Sequence, residues 1–342
     1  MSTVTNPLMK DSTGQEIKSA IQAIGTNSIG NLAALTTTNK TSLVAAVNEL
    51  KGRCDEEDTR LTYLEALANH NIPRRTPKNI TAYVTNGTLY KRLNGTDGFE
   101  LFEDLYVGDY IEMSRAISAK EQTGQYQATG SKFVTIAAID WYMQGGDNAA
   151  ITYHHLVMVP GQGFGGTQHF GRSRMNPTND TTGGYTASEM HTTTLGAVAA
   201  AGSTAADATV NQQLYAEFST HLKTTKELLS NAMDSARYNR FGQASGATSG
   251  WTWANCQAVL MSEIEVYGSI VFSSSGQDTG NACRQLPLFA HNKEAQNNRS
   301  AYYWLKDVAS AAHFCYCHDL GYAGYGNASN AGLYVRPRFI LA

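Results

Sequence analysis

Apolar positions between Leu43 and Ala68 recur at alternating steps of four and three: Leu43, Val47, Leu50, Cys54, Leu61, Leu64 and Ala68, with Glu57 in the one seam position left polar. An average step of 3.5 keeps a single seam on one side of a helix, the signature of a coiled coil. Charged residues fill the outer positions, and Thr41 or Ser42 can cap the start. Residues 36–71 are therefore predicted as a coiled-coil stalk that self-associates through Leu43, Val47, Leu50, Leu61 and Leu64. The competing reading is one amphipathic helix packed on the body; the narrowness of the stripe and its N-terminal position favour self-association. Gly52 and Glu57 weaken a seam only about four heptads long, so it needs support from neighbouring parts. Upstream, Ile17, Ile21 and Ile24 set a short helical face inside an N-terminal segment, 1–35.

The pattern changes after Ile72 and Pro73, which end the helix. AYVTNGTLYKR alternates around Asn86-Gly87, a strong two-residue hairpin signal, and predicts a β-hairpin collar over 72–97. From residue 98 to 342 the alternation of elements predicts one α+β unit. Strands are expected in DLYVGDYIEM, KFVTIAAIDWYM, TYHHLVMVP, HFCYCHD and GLYVRPRFIL. QLYAEFSTHLKTTKELLSNAMD reads as a helix through Leu214, Phe218, His221, Leu222, Leu228 and Leu229, and NCQAVLMSEIEVYGS as a second, opened by Asn255. Between them run long stretches rich in Gly, Thr and Asn, which require a stable frame beneath them.

Composition narrows the class of partner. A formal net charge of −3 without a basic run argues against nucleic acid. No stretch approaches the roughly 18 apolar residues of a membrane span, and the N-terminus lacks the form of a secretory signal. Five cysteines are an odd number for a disulfide framework. Charged residues are only 16% while Tyr reaches 18 copies, which suits a surface that binds through adaptable polar and aromatic groups.

Candidate chemistry is weighed on that background. Cys315 and Cys317 fall on one face of a strand, beside His318 and Asp319. Their spacing is not that of a structural zinc site, and they read as buried small hydrophobes. Asp147, Asn148, Asn179, Asp180, Glu263 and Glu265 supply oxygens for calcium, yet turn and cap roles account for Asp147 and Asp180. His154 and His155 point to opposite faces, and Ser188 lacks the glycines of a nucleophile elbow. No catalytic set, metal site or cofactor is expected. The aromatic loops are better candidates: Tyr185, Tyr322, Tyr325, Asn327 and Asn330 are expected outside, as receptor contacts, with Trp304 as a core anchor and Lys306 or Arg336 paired with a buried acid.

Two stretches carry a resemblance. LTTTNKTSLVAAVNEL resembles a segment that recurs in structural proteins of bacteriophages and prophages of Gram-positive hosts, near the start of fibres and appendages. The ordered series GDYIEM, IDWYMQGGD, YHHLVMVP, MNPTNDTTGGYTASEM, LMSEIEVYGS, RQLPLFA, YYWLKDVASAAHF and NASNAGLYVRPRFIL resembles the C-type-lectin-like family related to the formylglycine-generating-enzyme fold, in its phage virion form. The resemblance implies a homotrimer on the virion surface, held to other virion proteins by its N-terminal segment. It also implies a displayed domain, with paired first and last strands, that adheres to a host-surface glycan or protein. Two alternatives stay open: a capsid decoration protein that binds no receptor, and an oxidase of the formylglycine-generating type working at Cys315 and Cys317.

Overall fold

In the computed structural model, which describes residues 38, 43–119, 129–143, 151–234, 247–273, 284–297 and 301–342, the heptad-spaced segment is one helix, α1, Leu43–His70. The chain divides within it into two compact units, Met1–Glu65 and Ala66–Ala342. The expected N-terminal helical face with Ile17, Ile21 and Ile24, the caps Thr41 and Ser42, and the Leu43 side chain lie outside the described residues. Along α1, Val47, Leu50, Leu61 and Leu64 are 53%, 40%, 55% and 46% exposed.

The second unit begins with a correction. No hairpin follows Pro73: Thr81–Thr85 (α2) and Leu89–Asn94 (α3) are short helices. A type I′ turn needs positive φ at both central residues, whereas Asn86 sits at φ −95° and only Gly87 turns left-handed. The Asn86 Oδ1 accepts from the N–H and hydroxyl of Thr88, and Asn79 does the same for Thr81. Ile80, Leu89 and Leu93 become fully buried at helical spacing, and that burial decides the conformation.

Strands β1 (Tyr110–Glu112), β2 (Phe133–Ile139), β3 (Leu156–Pro160), β4 (Leu222–Lys223), β7 (Val259–Leu260) and β11 (Pro337–Leu341) make a six-stranded sheet. Its order is β1-β2-β3-β11-β4, with β7 also on β11, and every pairing is antiparallel. The first and last strands are thus separated by β2 and β3 and do not pair, because β11 inserts between β3 and β4. All five residues of β3 and of β11 are buried, as befits strands covered on both faces. Pro337 stands at the first position of β11, where its missing N–H is least felt.

The first long predicted helix is split. α4 (Val210–Phe218) starts at a capping box of Thr209 and Gln212 and stops at Ser219, which is left-handed at φ +51°. The rest becomes a single 3₁₀ turn (Ser219–His221), β4, and β5 (Thr225–Asp234), where Thr225, Glu227 and Leu229 are buried and Lys226 is exposed with period two. β6 (Ala247–Cys256) pairs with β5 in a two-stranded ribbon. The second predicted helix is likewise only α5 (Glu263–Tyr267), capped by Ser262 rather than Asn255. Among the described residues a π-helical turn (Met190–Leu195) and the helices α6 (Pro287–His291) and α7 (Lys293–Asn297) complete the helical elements. β8 (Tyr303–Ser310), β9 (His313–Cys317) and β10 (Ala323–Asn327) form a three-stranded meander.

At the centre lies a buried ion network. Arg338 forks onto Glu227 at 2.6 and 3.0 Å and turns its Nε to Glu265, which also accepts from the Tyr142 hydroxyl. Lys306 Nζ stands 3.8 Å from Glu227, so two carboxylates meet two cations. Of the two cations expected against a buried acid, Lys306 is the one that meets it; Arg336 meets no acid among the described residues, but donates to the carbonyls of Ala295 and Gln296 near the end of α7 and lies over Tyr303 and Phe289. Trp304 is fully buried, with its indole N–H on the Ser173 carbonyl at 2.8 Å.

Candidate functional site

Alternation along β9 sets the surface. Cys315 and Cys317 face inward with no exposure, while Tyr316 faces out on the opposite side. Directly across the ladder from Tyr316 stands Gly324 of β10, and across from Phe314 stands Gly326. The Tyr316 ring lies over these two glycines: a Cβ at Gly324 would come within 2.6 Å of it. Tyr302, just before β8, meets Tyr316 edge-on at 5.6 Å and His318 at 4.3 Å.

The β9–β10 turn completes the group. His318 N–H donates to the Tyr322 carbonyl at 2.9 Å, and Gly321, left-handed at φ +84°, returns its N–H to His318. The two rings stack at 3.8 Å. The Gln296 amide holds the turn by the Gly321 carbonyl, and the Asp319 carboxylate lies against the His318 ring. Tyr322 is 54% exposed and Tyr302 37%. Partial desolvation, then the Asp319 charge and Tyr322, push the Tyr302 hydroxyl up.

Tyr325 projects from the other face of β10, in register with Cys315, and is 42% exposed at the rim. It meets His313 and Phe272 edge-on. Asn327 and Asn330 are exposed; the Asn330 N–H donates to the Asn327 carbonyl, and its Oδ1 accepts from Gly332. Asn179 receives the Ser329 hydroxyl at 2.6 Å, while Met175 and Asn176 both donate to the Ala328 carbonyl. Thr181 is fixed to Ser310 and Ala311. The loops beside the meander are therefore hydrogen-bonded to it at several points.

Tyr185 is no part of this surface. Gly183 and Gly184 turn the chain inward, so Tyr185 is 1% exposed and its hydroxyl accepts from the Leu260 N–H. Three contributors not expected from the sequence as contacts, Tyr302, Tyr316 and His318, stand beside Tyr322. The signal for Tyr316 was a Gly-x-Gly strand one turn away from an outward aromatic, since glycines opposite an aromatic expose its face. A separate aromatic patch, Trp253 (40% exposed) with Trp251, lies on β6.

The remaining candidate groups are occupied structurally. Burial pushes the Cys315 and Cys317 thiols up, and that of Cys256 to about 12, so none is readily a thiolate. His155 donates Nδ1–H to the Tyr153 carbonyl and accepts the Tyr142 N–H at Nε2, and burial keeps it neutral. His154 is half-buried against Asp140. Glu263 accepts the N–H groups of Val271, Phe272 and Ser273, and Asp180 accepts the N–H and the hydroxyl of Thr182. The Ser188 hydroxyl donates to the Tyr185 carbonyl inside the core. Asp147, Asn148 and Cys283 lie outside the described residues. Among the described residues no three His, Cys, Asp or Glu side chains gather as an ion site, and no helix is long and apolar enough to cross a membrane.

No family model, curated protein or solved structure matches this chain. What the geometry offers chemically is a rigid aromatic surface, with phenol hydroxyls and one carboxylate on one face of the meander and amides at its rim. Such groups hold ligands by stacking, cation–π attraction and hydrogen bonds.

Proposed function

We propose that the chain is a bacteriophage virion fibre or appendage protein. In this reading residues 1–35 fasten it to other virion proteins, α1 trimerises as a coiled-coil stalk, and the unit after it, of C-type-lectin-like fold, adheres to the host surface. One observation carries the reading: the same chain pairs a solvent-exposed heptad stripe with a rigid, exposed aromatic surface. An apolar seam at 3.5-residue spacing gains stability only when a second copy covers it. Three copies per fibre, and many fibres per particle, multiply a weak single-site affinity into firm attachment. With charge near balance, attachment should respond little to moderate salt.

The test is immunogold electron microscopy of particles from the producing culture, with antibody against residues 98–342. Gold on a tail tip or head fibre supports the reading. Adhesion is then measured by adding the purified chain to host cells; absence of binding from a labelled particle leaves a decoration protein. Unlabelled particles with abundant protein in cells overturn the virion assignment.

A further inference from the structure

The outward face of the meander has a shape and a charge that select one kind of ligand. Tyr302 stands at 77° to Tyr316 and at 68° to His318, so the rings form a corner rather than a flat platform. Tyr322 stacks face to face on His318, 3.8 Å away and within 23° of parallel, and so presents its own outer face beside the corner. Aromatic faces carry the negative end of the ring quadrupole, and a corner offers two such faces to a compact cation. Among the described residues the acid there is Asp319, whose carboxylate lies against His318. Among the described residues, three cations in this part of the unit are committed elsewhere: Arg172 lies over Tyr334, Arg336 is buried over Tyr303, and Lys293 bonds Gln296.

Resting on the adhesion reading above, we propose that this corner of Tyr302, Tyr316, His318 and Tyr322, with Asp319 beside it, binds a quaternary ammonium group carried by a host-surface polymer. A trimethylammonium head needs no hydrogen-bond acceptor, and the corner supplies aromatic faces with a single carboxylate. A primary ammonium would need three acceptors at once. A neutral sugar ring stacks best on an open flat face flanked by amides; here the exposed Asn327 belongs to the opposite face, in register with His313. The corner is also preformed, because the turn is closed by backbone hydrogen bonds and the glycines of β10 leave room for the Tyr316 ring.

The experiment is titration calorimetry of the full chain with choline, with its neutral isostere 3,3-dimethylbutan-1-ol, and with ethanolamine. Choline should bind with a Kd in the millimolar range, and the neutral isostere at least roughly tenfold more weakly, as a cation–π site requires. Tyr322→Ala and Asp319→Asn should each weaken choline several-fold, whereas Tyr325→Ala, on the other face, should leave it unchanged. Equal affinity for choline and its isostere, tighter binding of ethanolamine, or indifference to Tyr322→Ala would overturn the proposal. Host-cell binding by the full chain is measured in parallel. Cells bound without choline binding sink the ammonium site and leave adhesion standing; loss of both sinks the adhesion reading itself.

Discussion

At the scale of single residues, Gly324 is the most informative position. A methyl group there would enter the Tyr316 ring, but the ring is the far end of a side chain on an exposed face and can swing aside. Gly324→Ala should therefore cost under about 1 kcal/mol in stability yet weaken ligands of the corner as much as Tyr316→Ala does. Urea unfolding and titration calorimetry on the two variants check this, and a large loss of stability would mean that the glycine serves the fold instead. The two arginines near the C-terminus make a second comparison. Arg338→Met strands Glu227 and Glu265 without a fork between them, and breaking a buried pair costs about 3–5 kcal/mol. Arg336→Met leaves no carboxylate behind, only the carbonyls of Ala295 and Gln296, and should cost about 1–3 kcal/mol. Urea midpoints at unchanged slope rank the two. The sequence signalled that a cation near the end meets a buried acid, and Lys306 does. It could not signal Arg338 over Arg336, because that choice depends on where β5 and α5 bring their glutamates. The exposure of Tyr322 and Tyr325 was legible from their small-residue surroundings. Tyr185 has equally small neighbours, and only the inward turn at Gly183 and Gly184 separates it from them.

At the scale of elements, α1 is a helix without enough of its own to persist. Its ion pairs, Lys51–Asp55 and Glu57–Arg60, are highly exposed and worth about 0.2–0.5 kcal/mol each. Helical stability in water comes mainly from covering an apolar face, and Val47, Leu50, Leu61 and Leu64 form such a face. Changing Leu50 and Leu61 together to Asp should reduce a three-chain assembly to single chains in sedimentation equilibrium, with the thermal melt of the second unit little altered. Wild-type protein that sediments as one chain at micromolar concentration would remove the stalk from the proposal. The helix itself was legible because its apolar spacing holds over about seven turns. Elsewhere two periods competed. Leu222, Leu228 and Leu229 fit a helical stripe, yet Thr225, Glu227 and Leu229 alternate, and pairing with β6 and β11 decided for strand. Asn86-Gly87 carried a genuine turn signal, overridden once Ile80, Leu89 and Leu93 found the core. Local signals failed where tertiary burial could reward the alternative.

At the scale of the whole molecule, the buried titratable groups dictate how stability follows pH. Burial, then the Arg336 and Arg172 cations, bring His169 down to about 4, while the unfolded chain titrates near 6.5. Between those values the unfolded state binds the extra proton, so stability is full above about pH 6.5 and falls as pH drops toward 4. His155, lowered by burial, acts with the same sign. A second decline follows at lower pH. Burial alone would raise Glu265, but Arg338 and Lys306 outweigh it and hold the carboxyl below its usual range. Asp104 is likewise brought down, to about 2, by Lys78, Tyr83 and Arg74 against its partial burial. Both contribute stability above the unfolded carboxylate range near pH 4, lost as pH falls through their folded values. Asp109, raised by burial, acts with the opposite sign above that range. The expected profile therefore has a plateau above about pH 7 and two descending stages. His169→Gln removes one titrating group, so it should reduce the upper stage, leaving the part due to His155, His70, His191 and His313, which burial also lowers, and should spare the lower one. Thermal melts of both proteins at pH 8, 5.5 and 3.5 decide the matter. If the wild type melts equally at pH 8 and 5.5, the buried imidazoles are reached by solvent protons without unfolding, and the packing of Tyr334 and Arg336 around His169 is looser than its 4.0 Å ring contact implies.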